Sequence, residues 1–151
     1  MSTVEKSVTV NAPVRTVYNQ WTQFESFPQF MEGVEAIEQL DDKWQRWRTN
    51  IGGKREEFDA TITEQLPDQR IAWRSMSSRA HAGVVTFHRL NENETRVMLQ
   101  MDYQPEGAME NVGDMMGIVS RRVERDLERF KEFIESRGSE TGAWRGEIKQ
   151  N

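Results

Sequence analysis

The fold is decided by a stretch near the C-terminus, residues 106–137, which reads EGAMENVGDMMGIVSRRVERDLERFKEFIESR. Its apolar residues recur at steps of three or four, the period of an α-helix with one buried face. They are Val112, Met116, Val119, Val123, Leu127, Phe130 and Ile134, with Met115 and Phe133 widening the stripe. The other face, which includes Asp126, is densely charged and is expected in water. Pro105 and Glu106 suit a helix start, and Gly138 suits a left-handed C-terminal cap.

The two halves of this predicted helix differ in composition. Large side chains such as Phe130 and Phe133 should anchor the C-terminal half to a core, whereas the N-terminal half is rich in small and flexible residues. These are Gly107, Ala108, Met109, Gly113, Met115, Met116, Gly117 and Ser120. Glycines of this kind either allow close packing against a sheet or, with adaptable methionines, line a cavity. On the second interpretation, a ligand enters between this half and the segment Phe27–Phe30.

Composition limits the classes of protein to consider. A chain of 151 residues without an internal repeat is most simply one domain, residues 1–138, followed by a tail, residues 139–151. The absence of cysteine excludes disulfides and thiolate chemistry. The N-terminus lacks the apolar run of a signal peptide, and no apolar stretch reaches the ~18 residues of a membrane span, so we expect a cytoplasmic protein. A net charge of −5 argues against nucleic-acid binding.

The N-terminal part of the chain predicts one strand and two short helices. Val4, Val8 and Val10 alternate with polar residues, and Lys6 on the apolar phase suggests an edge strand. Pro13 then opens a short helix that ends near Trp21. A second, aromatic helical piece covers Phe24 to Met31 and is interrupted by Pro28.

From Val34 to Tyr103 the apolar period changes to two. Turn residues at 41–42, 52–53, 67–68 and 91–93 divide this region into a predicted five short antiparallel strands. One face is apolar and contains Phe58, Ala60, Ile62, Ile71, Trp73, Val85, Phe87, Val97, Leu99, Met101 and Tyr103. The segment Trp44–Ile51 carries tryptophans on both phases; we favour Trp47 as the inward one.

This order predicts an α+β fold in which a curved antiparallel sheet of about six or seven strands wraps around the long C-terminal helix, with the two short helices between strands one and two. Together with VNAPV (10–14), WTQFESFPQFM (21–31) and IAWRS (71–75), it resembles the polyketide cyclase/dehydrase group of the START-like, birch-pollen-allergen-like (SRPBCC) superfamily over about residues 3–137. The resemblance implies a helix-grip fold that holds hydrophobic ligands between sheet and helix. Members include aromatase/cyclases, quinone-binding proteins and lipid carriers, so fold alone does not select a function.

The aromatic residues are numerous enough to line an apolar pocket, although the same residues could instead fill a packed core. The candidate ligand-binding residues are Trp21, Phe27, Phe30, Trp47, Phe58, Trp73, Phe87, Tyr103, Met115, Met116 and Val119. No metal-ligand spacing, phosphate-binding loop or nucleophile elbow occurs, so neither a metal nor a cofactor is expected.

Few residues could act in acid/base chemistry. His81 and Tyr103 fall on inward phases and are weak catalytic candidates, although His81 near a cavity rim could simply be solvated; His88 points outward. Arginines 46, 48 and 74 could stabilise an oxyanion, but their phases place them on the wet face.

Three functions therefore remain open. The first is binding of a hydrophobic small molecule such as a polyketide, quinone or lipid-like compound. The second is a polyketide aromatase/cyclase or dehydrase. The third is a protein-interaction module that uses the outer sheet face or the tail. In that tail, Trp144 either belongs to a disordered segment or docks on the domain surface or on a neighbouring subunit.

Overall fold

The structure, a computed structural model, describes residues 2–51, 53–76, 81–103 and 112–149. Its two α-helices are α1 (Val14–Trp21) and α2 (Val112–Arg137), and a 3-10 helix covers Phe24–Gln29. The strands are β1 (Ser2–Val10), β2 (Val34–Gln39), β3 (Trp44–Ile51), β4 (Lys54–Leu66), β5 (Arg70–Ser75), β6 (His81–Asn91) and β7 (Glu94–Tyr103). Neither α-helix combines the length and apolar character of a membrane span within these ranges.

The strands form one antiparallel sheet in the order β1-β7-β6-β5-β4-β3-β2. This curved sheet and α2 make the helix-grip fold that the sequence predicts. β1 lies at an edge, as Lys6 suggests, and the Lys6 ammonium reaches Glu124 of α2 at 3.2 Å. The prediction of five strands between 34 and 103 is one too few, because the chain also divides between Ser75, where β5 ends, and His81, where β6 begins, and the sequence pattern predicts no turn there.

The C-terminal half of α2 is anchored to the sheet. Val123, Leu127, Phe130 and Ile134 are all buried, in agreement with the helical stripe. The helix ends at Gly138, whose φ of 77° is the left-handed conformation expected of a cap and whose N–H donates to Ile134 O at 3.0 Å. The expected helix start at Pro105 and Glu106 lies outside the described residues.

The strand residues that face the helices are the apolar ones predicted from the alternation in the sequence. Ile62, Ile71, Val85 and Leu99 are buried beneath the helices. Trp47 packs against the core whereas Trp44 is exposed, so the favoured phase of β3 is confirmed. Register shifts between Val34 and Ala36 and between Ile62 and Glu64 bend β2 and β4, and the sequence pattern does not reveal either of them.

The tail is docked on the domain, which is the second of the two alternatives that the sequence leaves open. Ile148 is buried and pairs with Gln65 of β4 through two backbone hydrogen bonds of 2.7 and 2.9 Å. The Trp144 side chain packs half-buried against the core, and the Trp144 backbone N–H donates to Thr22 Oγ1 at 3.1 Å. The side chain that an interaction module would offer to a partner is thus used within the domain.

Arg145 fixes the middle of this tail. Its guanidinium pairs with Asp68 at 2.8 Å, donates to Asn19 Oδ1 at 2.6 Å and lies 5.4 Å from the centre of the Tyr18 ring. A carboxylate, an amide and an aromatic face together satisfy a planar cation with several donors. The tail is therefore bound through a charged residue as well as through Ile148.

Candidate functional site

One end of the space between sheet and α2 is filled by aromatic rings. Trp21 lies 4.8 Å from Phe130 between ring centroids, Phe30 lies 5.2 Å from Phe130, and Phe27 lies 5.4 Å from Phe30. Phe87 of β6 completes the group against Trp21 at 6.3 Å. All five side chains are buried, and the mostly edge-to-face or tilted contacts are those of a packed core. We call these five residues the closed end; four of them are sequence candidates for ligand binding.

Two further candidates, Trp47 on β3 and Phe58 on β4, are half-buried. They are direct cross-strand partners, and their rings stack at 6.1 Å with an interplanar angle of 15°. Trp47 Nε1–H donates to Gln45 Oε1 at 2.9 Å, which holds the indole in place. Phe27 of the closed end packs edge-on against Trp47 at 6.2 Å. The pair therefore forms a flat, partly exposed apolar surface beside the closed end.

Trp73 is half-buried on the same inner face, in one row with Gly83 and Met101 across β5, β6 and β7. A Cβ built on Gly83 would lie 2.4 Å from Cζ2 of Trp73, so the indole lies directly on the backbone of β6. Only glycine leaves room for this arrangement. Met101 beside it is also half-buried. We call Trp47, Phe58, Trp73 and Met101 the open end of the inner face.

The remaining ligand candidates lie on α2 and β7. Val119 is buried against the sheet. The backbone places Met115 and Met116 in the first turns of α2, but their side chains lie outside what the structure describes. Within the described residues, no group of three or more His, Cys, Asp or Glu side chains is arranged to hold a metal ion.

The weak catalytic candidates are neighbours in the sheet. His81 of β6 lies directly opposite Tyr103 of β7. The alternation of apolar and polar residues does not show this pairing, because it depends on how the two strands are aligned. The structure describes the backbone at both positions and not the side chains. Arg46 pairs with Asp59 at 3.0 Å, and this hydrogen bond raises the pKa of the guanidinium. Arg46 and Arg74 are exposed on the outer face, as their phases predict.

The predicted entrance has the segment Phe27–Phe30 on one side. Phe30 packs on Phe130 at 5.2 Å and on Phe133 at 5.3 Å, both in the C-terminal half of α2. Glu32 beyond it pairs with Arg129 at 2.8 Å. The segment Phe27–Phe30 thus rests on the anchored half of the helix. Residues 104–111 and the side chains of 112–116 lie outside what the structure describes, so an entrance between this segment and the glycine-rich half stays a prediction.

Asp126 also departs from its expected place in water. The loop at Glu32 covers it, leaving 12% of its side chain exposed, and Glu32 N–H donates to Asp126 Oδ1 at 3.3 Å. Burial raises the pKa of Asp126 to about 6, and the nearby Arg122 and Arg129 offset this only in part. Since the folded pKa exceeds the ordinary value of 3.8, ionisation of Asp126 opposes folding as the pH rises through 6.

Comparisons with solved structures show the same fold in proteins of low sequence identity. The chain matches a protein from Thermus thermophilus with a TM-score of 0.80 at 20% identity, covering 91% of this chain and 100% of that one. It matches the ZhuI aromatase/cyclase from Streptomyces sp. R1128 with a TM-score of 0.78 at 19% identity, covering 95% and 99%. These likenesses concern the fold.

Sequence comparisons define the family. An uncharacterized 17.2 kDa protein in the melC2-rnhH intergenic region of Streptomyces lincolnensis is 58% identical over 149 residues, which is 98% of this chain and 99% of that protein. The family model described as polyketide cyclase / dehydrase and lipid transport matches residues 10–132. This match includes both short helices, all of β2–β7 and most of α2. The chain therefore belongs to the polyketide cyclase / dehydrase and lipid transport family.

Proposed function

We propose that the protein binds a hydrophobic small molecule between the open end of the inner face and α2. One observation carries this proposal: the rings of the closed end, which lie between the sheet and the helices, are buried, while Trp47, Phe58, Trp73 and Met101 on the inner face of the sheet stay half-buried. Clustered apolar side chains left partly in water mark binding surfaces. A ligand that covers them gains about 25 cal/mol for each Å² of apolar area removed from water.

The chemistry of the open end favours an uncharged, largely apolar ligand. The stacked Trp47–Phe58 pair and the flat Trp73 indole offer planar apolar walls. The nearby inner-face residues Gln45 and Thr49 are neutral. A polyketide, a quinone or a lipid-like molecule fits these walls, and the family description names polyketides and lipids among these classes. With a net charge of −5 we expect no nucleic-acid partner, and we place the binding in the cytoplasm.

Ligand-induced stabilisation of the folded protein tests this proposal. The probes are menadione as a quinone, emodin as a polyketide-type aromatic and palmitate as a lipid. At least one should raise the melting temperature saturably, since a ligand at about 100 times its Kd stabilises by about 2.7 kcal/mol. Trp73→Ala and Trp47→Ala should weaken binding, whereas Trp44→Ala, which changes an exposed outer-face tryptophan, should leave it unchanged. Equal loss in Trp44→Ala, or no stabilisation by any probe, contradicts the proposal.

A cyclase or dehydrase is the second candidate, favoured by the direct pairing of His81 with Tyr103 on neighbouring strands. Opposed residues have Cβ atoms about 4.5–5.5 Å apart, close enough to act on one substrate. His81→Ala and Tyr103→Phe should then abolish turnover of a polyketide-like substrate while ligand-induced stabilisation persists. Unchanged turnover in both variants removes these residues from any catalytic role.

A further inference from the structure

A carboxylate lies on the inner face of the sheet beside the stacked aromatic pair. Glu56 belongs to β4, which pairs with β3 in continuous register at this point. Because side chains two residues apart on a strand lie on the same face, Glu56 shares the inner face with Phe58. Its direct partner on β3 is Thr49, which is 8% exposed. Glu56 and Thr49 therefore form the cross-strand pair next to Trp47 and Phe58 on this face.

The Glu56 carboxylate can interact with a ligand as well as with the protein. The residue is half-buried, so part of its surface stays accessible. It also has an interaction within the protein. An ionised carboxylate has two oxygens, which together accept up to about four hydrogen bonds and donate none. The interaction within the protein therefore leaves acceptor sites for a donor group of a ligand.

The other polar side chains near the aromatic pair are less accessible. Gln45 is 0% exposed, and both ends of its amide are used within the protein. Trp47 Nε1–H donates to Gln45 Oε1 at 2.9 Å, and Gln45 Nε2–H donates to Gln39 Oε1 at 3.0 Å. Thr49 is buried as well. Among the described residues on the inner face of β3 and β4, Glu56 is thus the accessible polar group that a ligand on the aromatic pair meets.

We propose that Glu56 is a specificity-determining residue of the open end and that it selects a planar ligand carrying a hydroxyl group. The ring of the ligand lies against the Trp47–Phe58 pair, and its hydroxyl donates to the Glu56 carboxylate. This inference rests on the proposed function and adds the polar group that the ligand needs. Hydrogen bonds from a hydroxyl to an ionised carboxylate are roughly twice as strong as those between neutral groups.

Three other types of ligand fit this arrangement less well. An anionic ligand would place its charge beside the Glu56 carboxylate, and like charges repel. A hydrocarbon would remove water from the carboxylate without replacing the lost hydrogen bonds. An ammonium group would lose its own strongly bound water beside an apolar wall, a cost that ion pairing offsets only with excellent geometry. A neutral hydroxyl donor avoids all three penalties.

NMR titration at neutral pH with naphthalenes that differ in one substituent tests this proposal. 2-Naphthol is the neutral donor, 2-methoxynaphthalene lacks the donor, and 2-naphthoate and 2-naphthylmethylammonium carry the two charges. The parent should bind 2-naphthol about tenfold more tightly than the methyl ether, as expected for one charge-assisted hydrogen bond. Glu56→Met removes the acceptor and should abolish this preference, whereas Glu56→Gln keeps a neutral acceptor and should only reduce it.

Glu57→Gln is the matched control, because Glu57 is the exposed neighbour on the outer face, where it pairs with Arg48 at 3.8 Å. It should keep the full preference, and the affinity for the methyl ether should be unchanged in every variant. Equal affinity of the parent for 2-naphthol and the methyl ether, or a preference that survives in Glu56→Met, would overturn the role of Glu56. Tightest binding of the ammonium, lost in Glu56→Gln, would assign a cationic ligand instead. Failure of the whole series to bind would contradict the proposed function as well, so the two failures are distinguishable.

Discussion

Replacing Gly83 by alanine tests the geometry of the open end. The new Cβ would lie 2.4, 2.8 and 2.9 Å from Cζ2, Cε2 and Cη2 of Trp73, whereas ordinary contact begins at 3.4 Å. The indole must therefore retreat by about 1 Å, from 2.4 to 3.4 Å at the closest atom. Overpacking of this size lowers the free energy of unfolding by about 1–3 kcal/mol. The displaced ring would also enter the proposed ligand space and should weaken menadione or emodin binding.

Urea unfolding followed by circular dichroism measures the first effect, and probe titration measures the second. Gly117→Ala is the matched control, because among the described residues its Cβ would make one ordinary contact, with Arg121 Nη1 at 3.6 Å, and alanine favours a helix by up to about 1 kcal/mol. The double variant Gly83→Ala/Trp73→Leu removes the clashing ring and should recover part of the lost stability. If the free energy of unfolding of Gly83→Ala lies within about 0.5 kcal/mol of the parent value and the variant binds the probes equally well, the placement of Trp73 is wrong.

Three further predictions concern Asp126, the tail and the end of α2. Asp126→Asn should raise the free energy of unfolding by up to about 3 kcal/mol at pH 8, where the carboxylate is ionised in both states, and by less than about 1 kcal/mol at pH 4, where the folded-state carboxyl is protonated. Equal gains at both pH values would contradict the pKa shift. Ile148→Ala should lower the free energy of unfolding, measured in urea, by about 2–4 kcal/mol, whereas a disordered tail would show no loss. Gly138→Ala should lower the melting temperature, because alanine at a positive φ costs about 1 kcal/mol. An unchanged melting temperature would exclude the left-handed cap at the end of α2.

The architecture could be predicted because each element carries its own local pattern. The stripe from Val119 to Ile134 has helical period, and the strands alternate with period two between recognisable turns. Trp47 could be placed inward because Thr49 and Ile51 share its phase. The sheet bulges after Val34 and Ile62 could not be predicted, because an extra residue in a strand leaves no composition signal of its own.

Contacts between distant parts of the chain explain what the sequence did not reveal about the site. Trp144 and Ile148 show no periodic pattern, and their burial depends on Thr22 and Gln65, which are far away in sequence. Asp126 looks like any residue on a charged helical face until the loop at Glu32 covers it. The stripe likewise cannot tell which half of α2 meets Phe30, and the structure shows that it is the half with Phe130 and Phe133.

Intermolecular NOEs between a bound ligand and the protein would show which side chains the ligand touches. With the tightest of the menadione, emodin and palmitate probes, we expect NOEs to the Met101 methyl group and to the indole protons of Trp73 and Trp47. Protons of the closed end, such as those of Phe130, should show none, because that end is already filled. Saturable binding whose NOEs go only to Trp44 or to other outer-face residues would contradict the claim, as would the failure of all three probes to bind.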